Sequence, residues 1–455
     1  MDILNNILFF IIAIGILVAF HEFGHYWVAR LLKVKVLRFS IGFGKPLFIW
    51  RKQRGEDLIE FVVAAIPLGG YVKMLDEREA PVDEKLKHRA FNNQSLSTRF
   101  AIVAAGPIFN FILAIFFYFI FFANGESGLK ALVASPPAES VAAQAGFEDR
   151  DEILSVAGKE VKTWQDFRIA LIDQGIDGGN VAVKVRTVDL YEQERLINIG
   201  DRHILNEKDD VTRVLGFSPW YPVLAPRIGA ISKKSAAASA GLQANDLVLS
   251  IDGQSISAWG ELVKIVQSSA GKPLKFLIER NTEQKTLTLT PEEKQREGKL
   301  VGFMGASPDV PDEFIRQNRV KIEYSLGGAL YRGAEETWMF SVLMLKVLGK
   351  MIIGQAALEN ISGPITIAQY AGITASIGFL TYIKFLAMIS VSLGVMNLLP
   401  VPMLDGGHLM YYIIEFIKGS PVSQKFEEMG QRLGLTLLLM LMSLAVFNDI
   451  QRLIN

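Results

Sequence analysis

The segment ILNNILFFIIAIGILVAFHEFGH, residues 3–25, joins an uncharged run from Ile3 to Phe20 directly to two histidines four residues apart. At about 1.5 Å per residue, a helix of that run crosses most of a hydrocarbon core. It predicts a first transmembrane helix. A cleaved leader fits poorly, because no Lys or Arg precedes Arg30 and no small-residue cleavage site follows. His21-Glu22-Phe23-Gly24-His25 is an H-E-x-x-H pattern, whose two imidazoles stand on one helical face and can share a tetrahedral zinc. Polar groups directly after an apolar span are costly near lipid, which argues against idle histidines.

Three more apolar runs follow: Phe100 to Gly125, Phe379 to Leu399 broken only by Lys384, and Leu433 to Asn448, where Arg432 can snorkel. About four transmembrane helices are expected. Trp338 to Ile353 is nearly as apolar, but Lys346 and Lys350 share a face and favour an amphipathic helix in the interface plane, a fifth span being the alternative. The loop from Lys33 to Arg99 carries 13 Lys and Arg, and the tail before the first span carries none. Positive charge stays inside, so this loop should be cytoplasmic, with both termini and the stretch from about Glu126 to Thr374 outside.

Half of the 455 residues are hydrophobic, and 47 basic residues balance 47 acidic ones. A chain of zero net charge has no global pull on nucleic acid, which is dropped as a partner. There is no cysteine, which excludes disulfides, thiolate metal sites and a cysteine nucleophile.

Zinc in a hydrolytic site needs a third protein ligand and an open position. Between Ile361 and Ile414 the only acidic residue is Asp405, within NLLPVPMLDGGH, residues 397–408. If the third span enters from outside, Asp405 reaches the inner side, the depth of His21 and His25. His408 is the competing ligand, placed below Asp405 as a supporting group. Zinc would polarise the scissile carbonyl, while Glu22 takes a proton from water and passes it to the leaving nitrogen. Asn397 could donate to substrate backbone or the developing oxyanion, or else tie together backbone broken by Pro400 and Pro402.

A shift of 95 residues lays Ser140 to Gly146 on Ser235 to Gly241, and carries Asp151, Leu154, Ser155, Gly158 and Trp164 onto Asp246, Leu249, Ser250, Gly253 and Trp259. Two copies of one fold follow from so long a period. Each has a small-residue helix start, an Ala-Gly turn, a β run after the Asp (Ile153 to Val156, Val248 to Ile251), a Gly turn and a helix after the Trp. That order resembles the circularly permuted PDZ domains of bacterial proteases. Such a groove binds peptide ends by strand addition, the alternative being a bulky spacer that limits access. In the cytoplasmic loop, Val34 to Leu75 shows apolar runs at Leu47 to Trp50 and Leu58 to Ala64 around a charged turn, Arg51 to Asp57, so a β-hairpin is expected, with Gly69 to Lys73 beside it as an exposed strand.

His21 to His25 in the first span and Asn397 to Asp405 after the third strongly resemble the two signatures of the site-two protease family of intramembrane zinc metalloproteases. Gly106-Pro107-Ile108-Phe109-Asn110 in the second span is similar to a further family element. The resemblance covers nearly the whole chain. It implies a multi-pass protein of the bacterial inner (cytoplasmic) membrane, with termini and PDZ-like domains periplasmic and the active site toward the cytoplasm. It implies cleavage of single-pass transmembrane substrates already trimmed outside, an anti-sigma factor and remnant signal peptides among them, for regulated intramembrane proteolysis in an envelope stress response. It implies also that the hairpin dips into the bilayer and holds substrate as an added strand.

The expected fold is thus a polytopic α-helical membrane protein with a cytoplasmic membrane-associated β-hairpin and two tandem PDZ-like α+β domains outside. Its divisions are the first span (1–32), the loop with its hairpin (33–97), the second span (98–125), PDZ-like domains at 126–221 and 222–315, interfacial amphipathic helices (316–375), the third span with the Asn-to-His408 motif (376–418), and the fourth span and tail (419–455). The rivals are a membrane-anchored PDZ adaptor with an inert metal site and a metal transporter. Glu22 argues against the first, because a structural zinc needs four ligands and no base. The peptide-binding repeat argues against the second.

Overall fold

A computed structural model describes residues 3–54, 57–176, 178–200, 210–296, 299–311, 313, 316 and 318–454. The chain divides into two units, one joining the segment up to Glu126 with Ile322–Ile450, the other comprising Ser127–Lys321.

In the first unit, four helices are long and apolar enough to cross a membrane: Ile3–Leu31, Leu96–Ala123, Phe379–Leu398 and Lys425–Leu453. The first runs through H-E-x-x-H to Leu31. Ser95 caps the second by accepting from Thr98 N at 3.3 Å. Pro107 sits inside this second helix without ending it, as neighbouring helices in a bundle allow. Where the first and second helices cross, a Cβ on Gly24 would lie 2.5 Å from the Ala105 carbonyl oxygen, so only glycine permits the approach. The core below the crossing gathers Leu17, Leu113, Phe117, Tyr118, Leu386 and Val391.

The segment expected at Trp338 to Ile353 is part of a longer helix, Leu326–Ile352, whose start Ser325 caps. The sequence signal began late because Arg332, Glu335 and Glu336 interrupt the apolar pattern. Two of these, Arg332 and Glu336, form an i,i+4 ion pair of 3.1 Å. This helix is not among the four apolar ones. A shorter helix, Pro364–Ile377, follows it. Buried Asp449 in the last helix accepts from Gly363 N, Ile365 N and Thr366 N at 2.9, 2.8 and 3.2 Å, which satisfies that helix's free N-terminal donors.

The hairpin consists of two long strands, Val36–Arg54 and Asp57–Met74, joined across Arg54 and Asp57; Gly55 and Glu56 of the expected turn lie outside the described residues. Residues 38–41 pair twice, with 60–63 on one side and with 70–73 on the other. The sheet therefore has four segments, and residues 70–73 form an edge. Positive φ at Gly42 (89°) lets the first strand fold back on itself. On the strand beyond this fold-back, Leu47, Phe48, Ile49 and Trp50 are all at least half exposed, an apolar patch suited to lipid.

The second unit repeats one plan. Its sheets run Lys159–Glu160, Glu152–Val156, Gly179–Arg186, Glu192–Gly200, and Gln254–Ser255, Leu247–Ile251, Leu274–Arg280, Glu283–Leu289. A helix, Trp164–Gly175 or Trp259–Ser268, packs on each. The 95-residue shift holds in the cores, where Ile153, Val156, Phe167, Val181 and Val183 correspond to Val248, Ile251, Leu262, Phe276 and Ile278, all buried. The large ring changes from the helix in the first copy to the strand in the second. Residues 201–209 and 315, inside or bounding the expected domains, lie outside the described residues.

Candidate metal centre and active site

Three spans meet at one end of the first unit. His21 and His25 lie toward the C-terminal end of the first helix, Ile102 to Asn110 toward the N-terminal end of the second, and Asp405 just beyond the C-terminus of Phe379–Leu398. The chain reaches Asp405 through a non-helical turn, Leu399 to Leu404, before a new helix starts at Asp405. Pro400 and Pro402 break the helix as expected. Met403 takes a left-handed φ of 89°, a costly conformation for a residue with a side chain, held where the turn delivers the carboxylate.

His21 Nε2 and His25 Nε2 are 3.3 Å apart, and Asp405 Oδ2 stands 3.2 and 3.5 Å from them. Among the described residues, this is the group of three whose ligand atoms lie within 4.8 Å of one another. Two observations fit a metal there. Asp405 Oδ2 is buried without a hydrogen-bond donor among the described residues. A Cβ on Gly106 would lie 2.3 Å from His25 Nε2 and 2.7 Å from the His21 ring, so the second helix leaves open the space that the ring nitrogens face. Two imidazole nitrogens and a carboxylate oxygen form a donor set that zinc accepts, with one position left for water or substrate.

The second helix also sets the rings. His25 Nδ1–H donates to the Ile102 carbonyl at 2.8 Å, which leaves Nε2 its lone pair. One turn on stands Gly106, and a further turn on the Asn110 amide lies 3.0 Å from His21 Nδ1. Residues 102, 106 and 110 thus form one stripe. The sequence showed the Gly-to-Asn motif but not what it touches. An asparagine inside an apolar span was the available signal.

His21, Glu22, His25, Ile102 and Asp405 line a cavity of about 660 Å³. Glu22 is buried beside the histidines. A Cβ on Gly70 would come 2.8 Å from Glu22 Cγ, so the hairpin's edge strand runs alongside the base. Asn397 lines the cavity too, and its amide has no side-chain partner among the described residues. His408 is in the wall but outside the three-atom group, with its ring against Tyr411. At the mouth, burial pulls the Asp76 carboxyl up, but hydrogen bonds from the Arg78 side chain and backbone hold it below the usual carboxylate range.

The peptidase family M50 profile matches residues 9–441. The chain belongs to that family. It is similar to the regulator of sigma-E protease RseP of Escherichia coli (strain K12), at 45% identity over 98% of both chains. It resembles a putative zinc metalloprotease of Vibrio cholerae serotype O1 at 42% identity, over 99% of this chain and all of the relative. A putative zinc metalloprotease of Neisseria meningitidis serogroup A is 40% identical over the same shares. This M50 member is a membrane zinc metalloprotease.

Proposed function

We propose that the chain hydrolyses peptide bonds of transmembrane segments within the bilayer, with His21, His25 and Asp405 holding zinc and Glu22 as the base. The carrying observation is the meeting of these four side chains where three apolar helices converge, with the free edge of a β-sheet along the same cavity. Zinc, when bound, supplies a Lewis acid that polarises a peptide carbonyl. Glu22 accepts the proton of the attacking water and delivers it to the leaving nitrogen. Asn397 donates to the developing oxyanion. A transmembrane helix hides its peptide bonds, so substrate must unwind first, and residues 70–73 offer backbone groups on which it is held as an added strand.

Single-pass proteins trimmed on the outer side fit such a site, including anti-sigma factors and signal-peptide remnants, in an envelope stress response. In this proposal the protein lies in the bacterial inner membrane, the basic hairpin loop is cytoplasmic, and both termini and the two repeats, read as PDZ-like grooves for peptide ends, are periplasmic. Zinc content and cleavage of a model transmembrane substrate test the assignment. Glu22→Gln should keep zinc and lose about 10²–10⁴-fold in rate. Asp405→Asn should lose both, because an amide is a poorer zinc ligand than a carboxylate. Normal cleavage by Asp405→Asn, with zinc lost in His408→Ala, would move the third ligand to His408.

A further inference from the structure

Asn110 is fully buried in an apolar helix, where an amide must find partners to offset its desolvation. Among the described residues its side chain makes a single hydrogen bond, to His21 Nδ1 at 3.0 Å, and its Oδ1 is buried with no partner. Ser390 Oγ donates to the Asn110 backbone carbonyl at 2.7 Å, so the helix contact to the third span does not depend on the amide.

The two histidines are therefore held differently. His25 Nδ1 faces a backbone carbonyl, which only accepts, so the neutral ring carries its proton on Nδ1 and keeps a lone pair on Nε2. His21 Nδ1 faces an amide, which presents either a donor or an acceptor. With Nδ2 donating, Nδ1 accepts and the neutral ring carries its proton on Nε2. With the amide turned by half a rotation, Oδ1 accepts from Nδ1–H and Nε2 is free to bind a metal. The two orientations occupy the same volume and leave one amide atom unpartnered in either case.

We propose that Asn110 is a positioning residue for His21, its Oδ1 accepting the Nδ1 proton when Nε2 takes up the metal. This rests on the assignment of His21 as a ligand. Metal ligands of this kind depend on the partner of their other ring nitrogen, and losing that partner costs about 10–100-fold in affinity. Asn110→Leu removes the partner. Asn110→Asp keeps an acceptor of the same shape.

The test is zinc affinity of the full-length protein in detergent, by competition with a chelator. Thermal unfolding of the zinc-stripped proteins serves as the fold control, and Asn110→Ser replaces the leucine variant if that one does not fold. Asn110→Leu should bind zinc about 10–100-fold more weakly, while Asn110→Asp binds as tightly as the parent or more so. Unchanged affinity in Asn110→Leu overturns the proposal, as does equal weakening in Asn110→Asp. If the parent protein holds zinc equally well without His21, the ligand assignment fails instead.

Discussion

A methyl group at position 106 would occupy the space where the two histidine rings converge, 2.3 Å from His25 Nε2. Gly106→Ala should therefore displace His25, lower zinc affinity at least about tenfold, and cost about 1–3 kcal/mol from overpacking. Gly15→Ala is the matched control, a glycine of the first span whose Cβ would meet nothing within 4 Å. Zinc titration and thermal unfolding of both variants decide the matter; equal zinc affinity in Gly106→Ala would mean that the second helix can withdraw from the site. His21, Glu22, His25 and Asp405 were legible in the sequence because their chemistry is written in residue type and spacing. Gly106 and Asn110 stood out only as the ends of the Gly-to-Asn motif, without a contact to give them a role. Their roles depend on which helix face meets the first span, and that is decided by the glycine-permitted crossing at Gly24 rather than by any local pattern.

The two repeats show how one element carries different electrostatics. Asp246 Oδ1 and Oδ2 each accept from Arg280 at 2.7 Å, through Nε and Nη2. Asp151, the equivalent residue, has one contact of 2.9 Å to Arg195, whose buried Nε has no partner among the described residues. Burial raises both carboxyls; the forked arginine overcomes it at Asp246, which sits below its ordinary value, whereas at Asp151 burial wins and the carboxyl sits above it. A depressed carboxyl adds stability above its unfolded value of about 3.9 and loses it as pH falls through the folded value, while a raised one gains stability as pH falls through its own. On acidification from pH 5 toward 3, protection of the strand Leu274–Arg280 should fall relative to Gly179–Arg186, read by hydrogen exchange corrected for intrinsic rates; the reverse order would refute the assignment. The repeat itself was visible in the sequence through Asp, Gly and Trp at fixed offsets. The arginines were not, because Arg280 comes from the third strand of its copy and Arg195 from the fourth, so no single shift aligns them.

At the scale of the molecule, the proposed function depends on the sense in which the chain crosses the bilayer. The basic loop predicts Gln53 inside and Gly253 outside, to be read by labelling of single cysteines in this cysteine-free chain; an outward Gln53 would reverse the proposed orientation. The chain leaves the second span at Ala123, the end remote from Ile102 and Gly106, and the two repeats are inserted there, before the chain returns toward the third span. The proposed ligands, the base and Asn397 all belong to the first unit, so the chemistry can be assembled without residues 127–315. In the proposed orientation the pair is a bulky outer part of the chain and should act as a filter, turning away substrates that still carry large outer portions. Removing it should broaden cleavage to untrimmed substrates while leaving the rate on a trimmed one within a few-fold. The opposing mechanism gives the opposite sign, because a groove that must first bind a newly exposed peptide end would make the repeats necessary for cutting even a trimmed substrate. A repeat-deleted protein that remains folded and zinc-loaded, yet fails on a trimmed substrate, would replace the filter with positive recognition by the grooves.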